Sequence, residues 1–201
     1  MLIVGVCGTS GSGKGYICKR LEAYGIYHID TDKVYRELSL KSPECQKELT
    51  DFFGNDIFDN GQLNSRVLAS RVFEGEGKEQ RLNMLNSITH KYIKIDTERI
   101  IDDCRKGGYS AVLVDAPVLF ESGFDAMCDA TVCVTAPYEM KVERIIKRDG
   151  ITREKAEARL KTQLSDNELR QRCTYEIDNT DGCDIDSQII SLLKDLKIEA
   201  R

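Results

Sequence analysis

The sequence predicts an α/β fold in which helices cover both faces of a parallel sheet. Three apolar runs have the continuous character of strands that are buried on both faces: LIVGVC (2–7), AVLV (111–114) and ATVCVT (130–135). Helical spacing of apolar residues lies between them, and strands that alternate with helices are typical of a parallel sheet.

Each element follows from its local pattern. After the first strand, helical spacing leads to a stop at Gly25, and IYHI (26–29) predicts a second strand that ends at Asp30. YEI (175–177) is a weaker candidate for a fifth strand. The pattern at 78–106 predicts one long helix that ends at a pair of glycines.

Two blocks interrupt the alternation of strands and helices. About 80 residues without a convincing strand separate the second and third strands, which predicts a helical insertion. A charged helical block at 141–172 carries ten Lys or Arg residues against six Asp or Glu residues. This local basic excess is notable in an acidic chain, since a solvated helix face needs no net sign.

Composition bounds the class of protein. The chain has 201 residues, 41% of them hydrophobic, enough for one α/β domain with an insertion or for two small domains. The net charge of −5 argues against a nucleic-acid partner. Without an 18-residue apolar run or a signal peptide, we expect no membrane contact and a cytoplasmic protein, either a monomer or a weak homo-oligomer.

The eight cysteines are expected to be reduced and structural. Cys7 and Cys133 lie in apolar runs, where a thiol behaves as a small buried hydrophobe. The chain has no CxxC pair that could begin a zinc site.

The segment GTSGSGKG (8–15) nearly completes the phosphate-binding pattern GxxxxGK[ST]. It follows a predicted buried strand and opens a predicted helix, as the mechanism requires. Backbone N–H groups would wrap a phosphate, Lys14 would reach the β- and γ-phosphates, and the helix N-terminus would add partial positive charge. An ordinary strand-to-helix turn is the alternative. The predicted nucleotide-binding residues are Gly8, Gly11, Ser12, Gly13, Lys14, Gly15 and Tyr16.

Gly15 stands where Ser or Thr normally offers a hydroxyl to Mg²⁺. Because Mg²⁺ keeps several waters in most such sites, a water can take this place. We therefore expect weaker metal binding rather than none.

Asp30 and Asp32 follow the second strand, at the carboxyl edge where open α/β sheets bind ligands. Residues two apart on an extended chain face the same way, so one carboxylate could accept a proton while its neighbour holds Mg²⁺ or substrate. The alternative is that Asp32 caps a helix beginning at Lys33.

Seven segments in this order resemble the dephospho-coenzyme A kinase family and cover nearly the whole chain. They are the loop, the Asp-x-Asp pair, FFGNDIFDNGQL (52–63), LNSITH (85–90), VDAPVLFESG (114–123), ERIIKRDG (143–150) and IDN (177–179). The resemblance implies ATP-dependent phosphorylation of the ribose 3′-hydroxyl of dephospho-coenzyme A, the final step of coenzyme A synthesis. It also implies ATP and Mg²⁺ as cofactors and dephospho-coenzyme A as the small-molecule partner.

The resemblance further implies a three-layer P-loop kinase core with a five-stranded parallel sheet, a helical substrate-binding insertion and a helical lid. Mapped onto a single kinase domain of residues 1–201, the core covers 1–38, 107–140 and 173–201. The insertion then covers 39–106 and the lid 141–172.

The same resemblance assigns roles to individual residues. Asp32 matches the catalytic aspartate, Asp30 its partner and candidate Mg²⁺ ligand, and Lys14 the phosphate-gripping lysine. Arg144 and Arg148, one helical turn apart, match lid arginines that close over ATP, and Arg144 is also counted as catalytic. The substrate-binding candidates are Asp32, His90, Asp115, Pro117, Leu119, Phe120 and Glu121.

Departures from the family pattern leave other functions open. Gly15 and Tyr16 replace a Ser–Thr pair, and Lys141 replaces a glutamine on the lid helix; further departures are Arg36, Ser65, Lys91, Thr174 and Tyr175. One alternative is another nucleoside or nucleotide kinase with the same core. The other is a regulatory module that binds nucleotide without turnover, against which the retained lysine, aspartates and arginines argue.

Overall fold

The computed structural model describes residues 1–198. The chain divides into two compact units, one formed by Met1–Ile29 with Asp103–Arg201 and the other by Asp30–Asp102. We call them the sheet unit and the helical unit and describe each by itself.

Seven strands occur within residues 1–198: β1 (Leu2–Cys7), β2 (Tyr27–Asp30), β3 (Phe58–Asp59), β4 (Gln62–Leu63), β5 (Ala111–Asp115), β6 (Ala130–Thr135) and β7 (Tyr175–Asp178). The helices of the same residues are α1 (Lys14–Glu22), α2 (Thr31–Glu37), α3 (Pro43–Phe53), α4 (Ser65–Phe73), α5 (Lys78–Lys106), α6 (Tyr138–Asp149), α7 (Arg153–Lys161), α8 (Asp166–Arg172) and α9 (Ile185–Asp195). Short 3₁₀ turns cover Ser39–Lys41, Asn55–Ile57 and Phe124–Met127.

The main sheet has five strands in the order β2-β5-β1-β6-β7, and its pairings of β1 with β5, β1 with β6 and β6 with β7 are parallel. Every residue of β5 and β6 is buried, so both faces of the sheet are covered, as the continuous apolar runs predicted. The predicted three-layer α/β fold with a five-stranded parallel sheet is confirmed.

The core of the sheet unit lies between the central strands and two helices. Val6, Val132 and Ile177 on the strands pack with Ile17 of α1 and Ile189 of α9, and each of these side chains is fully buried. Helices α1 and α9 are therefore held against the sheet by apolar contacts.

The helical unit contains α2, α3, α4 and most of α5, with a core that includes Leu49, Ile57 and Val72. The predicted long helix over 78–106 is confirmed. The sequence missed the small β3–β4 hairpin. Its turn holds Asn60 at a φ of 49° and Gly61 at a φ of 75°, and an Asn-Gly pair is a recognised signal for such a turn.

The basic block at 141–172 comprises three helices. Gly150, at a φ of 64°, ends α6, and Ser165 forms a capping box with Glu168 at the start of α8. Val142 and Ile145 of α6 pack with Ala156 and Leu160 of α7 in a separate small core.

All eight cysteines are free thiols, and burial raises the pKa of Cys45 to about 11 and that of Cys128 to about 12. Thiols with raised pKa values react slowly as nucleophiles. Within residues 1–198, no helix combines the length and the apolar composition needed to cross a membrane.

Candidate active site

The glycine-rich loop follows β1 directly and leads into α1 at Lys14. Gly11 and Gly13 have φ values of 80° and 89°, which L side chains rarely adopt. Ser12 donates its backbone N–H to the Thr9 carbonyl at 3.0 Å, which closes the turn. The predicted strand–loop–helix context of a phosphate cradle is therefore present.

Three glycines of the loop lie against neighbouring backbone or side chains. A Cβ on Gly8 would lie 2.7 Å from the Val134 carbonyl oxygen, and one on Gly11 would lie 2.5 Å from that of Lys141. A Cβ on Gly13 would lie 2.0 Å from Nδ2 of Asn179. A Cβ on Gly15 would meet no atom of the described residues within 4 Å. The first three glycines are thus required by space, and Gly15 is not.

Lys14 forms an ion pair with Asp115, the last residue of β5. The register of the sheet sets Asp115 opposite Val6, one residue before the end of β1, and so beside the start of the loop. Oδ2 of Asp115 also lies 3.2 Å from Nε2 of His28 on β2. Asp115, predicted to bind substrate, therefore lies in direct contact with the predicted phosphate-gripping lysine.

Arg144 and Asn179 brace the loop from outside. The Asn179 side chain donates to the Ser12 carbonyl at 2.7 Å. Arg144 donates to the carbonyls of Gly11 and Asn179 at 3.3 and 3.0 Å and pairs with Asp181 at 2.8 Å. The IDN segment contributes Asn179 to the loop, a role that its sequence did not reveal.

A second set of contacts ties the loop to the basic block. Lys141 is only 6% exposed, and its Nζ donates to Thr9 Oγ1 at 3.1 Å and to Asp166 Oδ1 at 2.8 Å. The backbone N–H of Ser10 donates to the Gln163 side-chain oxygen at 2.9 Å. A buried charge such as Lys141 needs a partner of this kind. Sequence analysis noted Lys141 only as a departure and missed Gln163 and Asp166.

Arg148 lies one turn beyond Arg144 on α6 but contacts different groups. Its guanidinium donates to both oxygens of the adjacent Asp149, at 2.7 and 3.0 Å. These bonds and a bond from Arg159 hold the pKa of Asp149 well below its ordinary value. With 59% of its side chain exposed, Arg148 lies outside the contacts that brace the loop, and its predicted role in closing over ATP remains a prediction.

Among the described residues, a concave surface of about 470 Å³ adjoins the loop and includes Thr9, Lys141 and Gln163 in its lining. Two more adjoin the loop within the sheet unit. One has a volume of about 420 Å³ and is lined by Gly13, Tyr16, Arg144, Asn179 and the segment 180–185 without Asp184. The other, of about 60 Å³, includes Gly8, Thr9, Pro117, Leu119, Phe120 and Glu121 in its lining. The loop therefore borders two clefts of more than 400 Å³ and a smaller one.

The segment from Pro117 to Glu121 is only partly accessible. Pro117 and Glu121 are exposed, but Leu119 is fully buried. The Leu119 side chain packs against Gly5, since a Cβ added to Gly5 would lie about 3.0 Å from it. The Phe120 ring lies 5.6 Å from the Arg172 guanidinium, within reach of a cation–π contact. Of the four predicted substrate contacts here, Leu119 lies in the interior of the sheet unit.

The remaining predicted residues belong to the helical unit. Asp30 caps α2 by accepting the Lys33 backbone N–H at 3.1 Å, whereas Asp32 lies exposed in the first turn of that helix. The expectation that both follow the strand in extended conformation is therefore wrong, because capping by Asp30 starts the helix at Thr31. The Asp32 carboxylate accepts no hydrogen bond from the described residues, and His90 lies half-buried on α5.

Comparisons with known proteins agree with this architecture. The sequence profile of the family described as dephospho-CoA kinase matches residues 2–184. Dephospho-CoA kinase of Corynebacterium diphtheriae is 36% identical over 186 residues, which is 92% of each chain. That of Fusobacterium nucleatum is 36% identical over 180 residues, 89% of this chain and 90% of the relative.

Solved structures show the same fold. A Thermus thermophilus protein matches with a TM-score of 0.76 and 26% identity, over 98% of this chain and 96% of that one. Dephospho-CoA kinase from Campylobacter jejuni matches with a TM-score of 0.68 and 21% identity, over 96% of both chains. At that identity, the second likeness concerns the fold alone.

The two glycines of the loop that differ in free space provide a matched test. We expect Gly13→Ala to destabilise the chain by about 1–2 kcal/mol or more, because φ is positive and Asn179 blocks the methyl group. Gly15→Ala should raise stability by about 0.4–1 kcal/mol, since Gly15 in the first turn of α1 has no positive φ and alanine restricts the unfolded chain more than glycine does. Urea unfolding followed by circular dichroism measures both. Equal stabilities would contradict the described loop geometry.

Proposed function

The chain belongs to the dephospho-coenzyme A kinase family, and from this premise we propose that the Gly8–Lys14 loop holds ATP while Asp32 serves as general base. The activity is ATP-dependent phosphorylation of dephospho-coenzyme A. The observation that carries the proposal is the loop itself, with Lys14 at the start of α1 inside a chain that the family profile matches from residue 2 to residue 184.

ATP binding rests on groups of the sheet unit. Backbone N–H groups of the loop and the N-terminus of α1 attract the phosphates, and Lys14 exchanges Asp115 for phosphate oxygens. The cleft of about 420 Å³ beside Gly13 and Tyr16 takes the nucleoside portion. Arg144 already lies against the loop and adds a fixed positive charge near the transferred phosphate.

Mg²⁺ is the proposed metal, and the loop offers an observation that fits it. The Ser12 hydroxyl is buried and has no hydrogen-bond partner among the described residues. Buried polar groups are normally hydrogen-bonded, so we propose that the bound metal–nucleotide complex supplies the partner of this hydroxyl. Asp30 is the proposed carboxylate ligand, since only one of its oxygens accepts the cap bond. When bound with ATP, Mg²⁺ neutralises charge on the phosphates.

Asp32 takes the proton from the attacking ribose 3′-hydroxyl in our proposal. Its carboxylate is exposed and accepts no hydrogen bond from the described residues, which leaves it available as a base. The other proposed substrate contacts are His90, Asp115, Pro117, Leu119, Phe120 and Glu121, and Arg148 is the proposed second lid arginine. We also propose the predicted division into a core, an insertion at 39–106 and a lid at 141–172.

Coupled measurement of ADP production tests the function as a whole. We expect turnover with dephospho-coenzyme A and little with a panel of nucleosides and nucleotides. Faster turnover of a nucleoside would favour another kinase of the same core. ATP binding without turnover of any acceptor would favour a regulatory module. Lys14→Ala, which removes the phosphate-gripping ammonium, serves as the inactive reference.

Asp32→Asn should reduce kcat by about 10²–10⁴-fold with little change in KM, because an amide cannot accept the proton while the side chain keeps its size. Asp30→Asn is the matched comparison: asparagine also caps helices well, so its loss of rate reports the proposed metal ligand and not the loss of the cap. The measurement is steady-state kinetics of both variants. A larger loss of kcat in Asp30→Asn than in Asp32→Asn would reverse the assigned roles.

Gly15→Ser should lower the Mg²⁺ concentration that gives half-maximal turnover. The added hydroxyl restores one of about six metal ligands, and the space around Gly15 accepts the side chain. ATP binding without metal should stay nearly the same, and Gly15→Ala controls for the change in the helix backbone. A magnesium titration at fixed ATP compares the three proteins, and coinciding curves would show that another group already fills the ligand position.

A further inference from the structure

A cluster of three potential metal ligands lies beside Lys14, at the end of the phosphate-binding loop. It consists of Cys18 on α1, His28 on β2 and Asp115 at the end of β5, and one ligand atom from each lies within 4.8 Å of the others. We propose that these three side chains bind a divalent transition-metal cation of the Zn²⁺ class, at a site separate from the Mg²⁺ that accompanies ATP.

The orientation of His28 supports ligation. Its Nδ1 lies 3.0 Å from Oε1 of Glu22, and its Nε2 lies 3.2 Å from Oδ2 of Asp115. Metal-binding histidines usually hold a carboxylate with one ring nitrogen and the metal with the other, because the outer hydrogen bond fixes the tautomer and aims the ring. Glu22 supplies that outer carboxylate. Nε2 then faces the carboxylate of Asp115, the second candidate ligand.

The spacing of the ligand atoms suits a tetrahedral ion. Bonds of about 2.0–2.3 Å to nitrogen, oxygen and sulfur place neighbouring ligand atoms about 3.3–3.6 Å apart in a tetrahedron around Zn²⁺. The distance of 3.2 Å between Nε2 of His28 and Oδ2 of Asp115 is already close to this range. The ligand atom of Cys18 lies within 4.8 Å of the other two, so only a small movement of its side chain completes the geometry. Three protein ligands leave the fourth position to water.

The chemistry of the three ligands selects the class of metal. A thiolate and an imidazole favour Zn²⁺ or Co²⁺, whereas Mg²⁺ prefers oxygen ligands throughout. The thiolate of Cys18 and the carboxylate of Asp115 are the two negatively charged ligands of the three. The site therefore discriminates between a transition metal and the Mg²⁺ of the kinase reaction.

The position of the cluster couples it to the loop. Cys18 lies one helical turn after Lys14 and is fully buried, while the side chains of His28 and Asp115 are 14% and 8% exposed and leave an approach for the ion. Lys14 pairs with the other oxygen of Asp115. A cation bound there neutralises Asp115 and weakens its attraction for Lys14, so metal occupancy acts on the residue that grips phosphate.

Titration of the metal-stripped chain of residues 1–201 with Co²⁺, in the presence of a phosphine reductant, tests the proposal directly. We expect a near-ultraviolet thiolate-to-cobalt charge-transfer band that saturates at one metal per chain. Zn²⁺ should remove the band by displacing cobalt, and a large excess of Mg²⁺ should leave it unchanged. Absence of the band, or its loss with Mg²⁺, would overturn the proposal.

Variants identify the ligands. Cys18→Ser should abolish the band, His28→Gln should strongly weaken cobalt binding, and Glu22→Gln should weaken it by about 10–100-fold. Cys183→Ser, at an exposed cysteine, and His90→Gln, at the other histidine, should bind cobalt as the parent does.

Circular dichroism verifies that each variant is folded. If Cys18→Ser, at a buried position, does not fold, the result for His28→Gln decides whether the assignment stands. A band of unchanged intensity and affinity in His28→Gln would overturn the assignment. Loss of the band in Cys183→Ser would also overturn the assignment, since the cobalt-binding thiol would then be Cys183 and not Cys18. Metal binding is read without ATP or substrate, so the outcome is independent of kinase activity.

Discussion

Close backbone approach around the glycine-rich loop is the constraint on which the rest of the site depends. The Lys141 carbonyl oxygen lies 2.5 Å from the position that a Cβ on Gly11 would take, and the Asn179 side chain lies 2.0 Å from the position of a Cβ on Gly13. The loop can therefore keep its shape only if α6 and the segment after β7 stay where they are. Because Arg144 and Asn179 also hydrogen-bond to loop carbonyls, the geometry of the phosphate cradle is set by the packing of the whole sheet unit.

Sequence analysis could predict those parts of the fold that depend on local patterns. Continuous apolar runs identify β5 and β6 because both faces of the sheet are buried, and regular spacing identifies the long helix α5. In these regions the physical cause acts within a few residues, and one sequence is enough to read it. Asp115 entered the predicted site only through the resemblance to the family, and its position beside the loop is a finding of the structure.

The features that sequence analysis did not predict depend either on weak local signals or on contacts between residues far apart in the sequence. The Asn60–Gly61 turn was legible in principle, but strands of two residues offer no alternation to support it. The bonds from Ser10 to Gln163 and from His28 to Asp115 join residues 153 and 87 positions apart. Nothing in the local sequence specifies such pairs, since they arise only when the sheet has assembled.

The bond between Ser10 and Gln163 has a consequence for ligand choice. A phosphate oxygen that reaches this N–H must first displace the neutral amide oxygen that now accepts from it. Hydrogen bonds to ionised acceptors are roughly twice as strong as those between neutral groups, so an anion wins this competition and an uncharged molecule does not. The Gln163 side-chain amide thus competes with any occupant of the loop for the Ser10 N–H and favours occupants that carry negative charge.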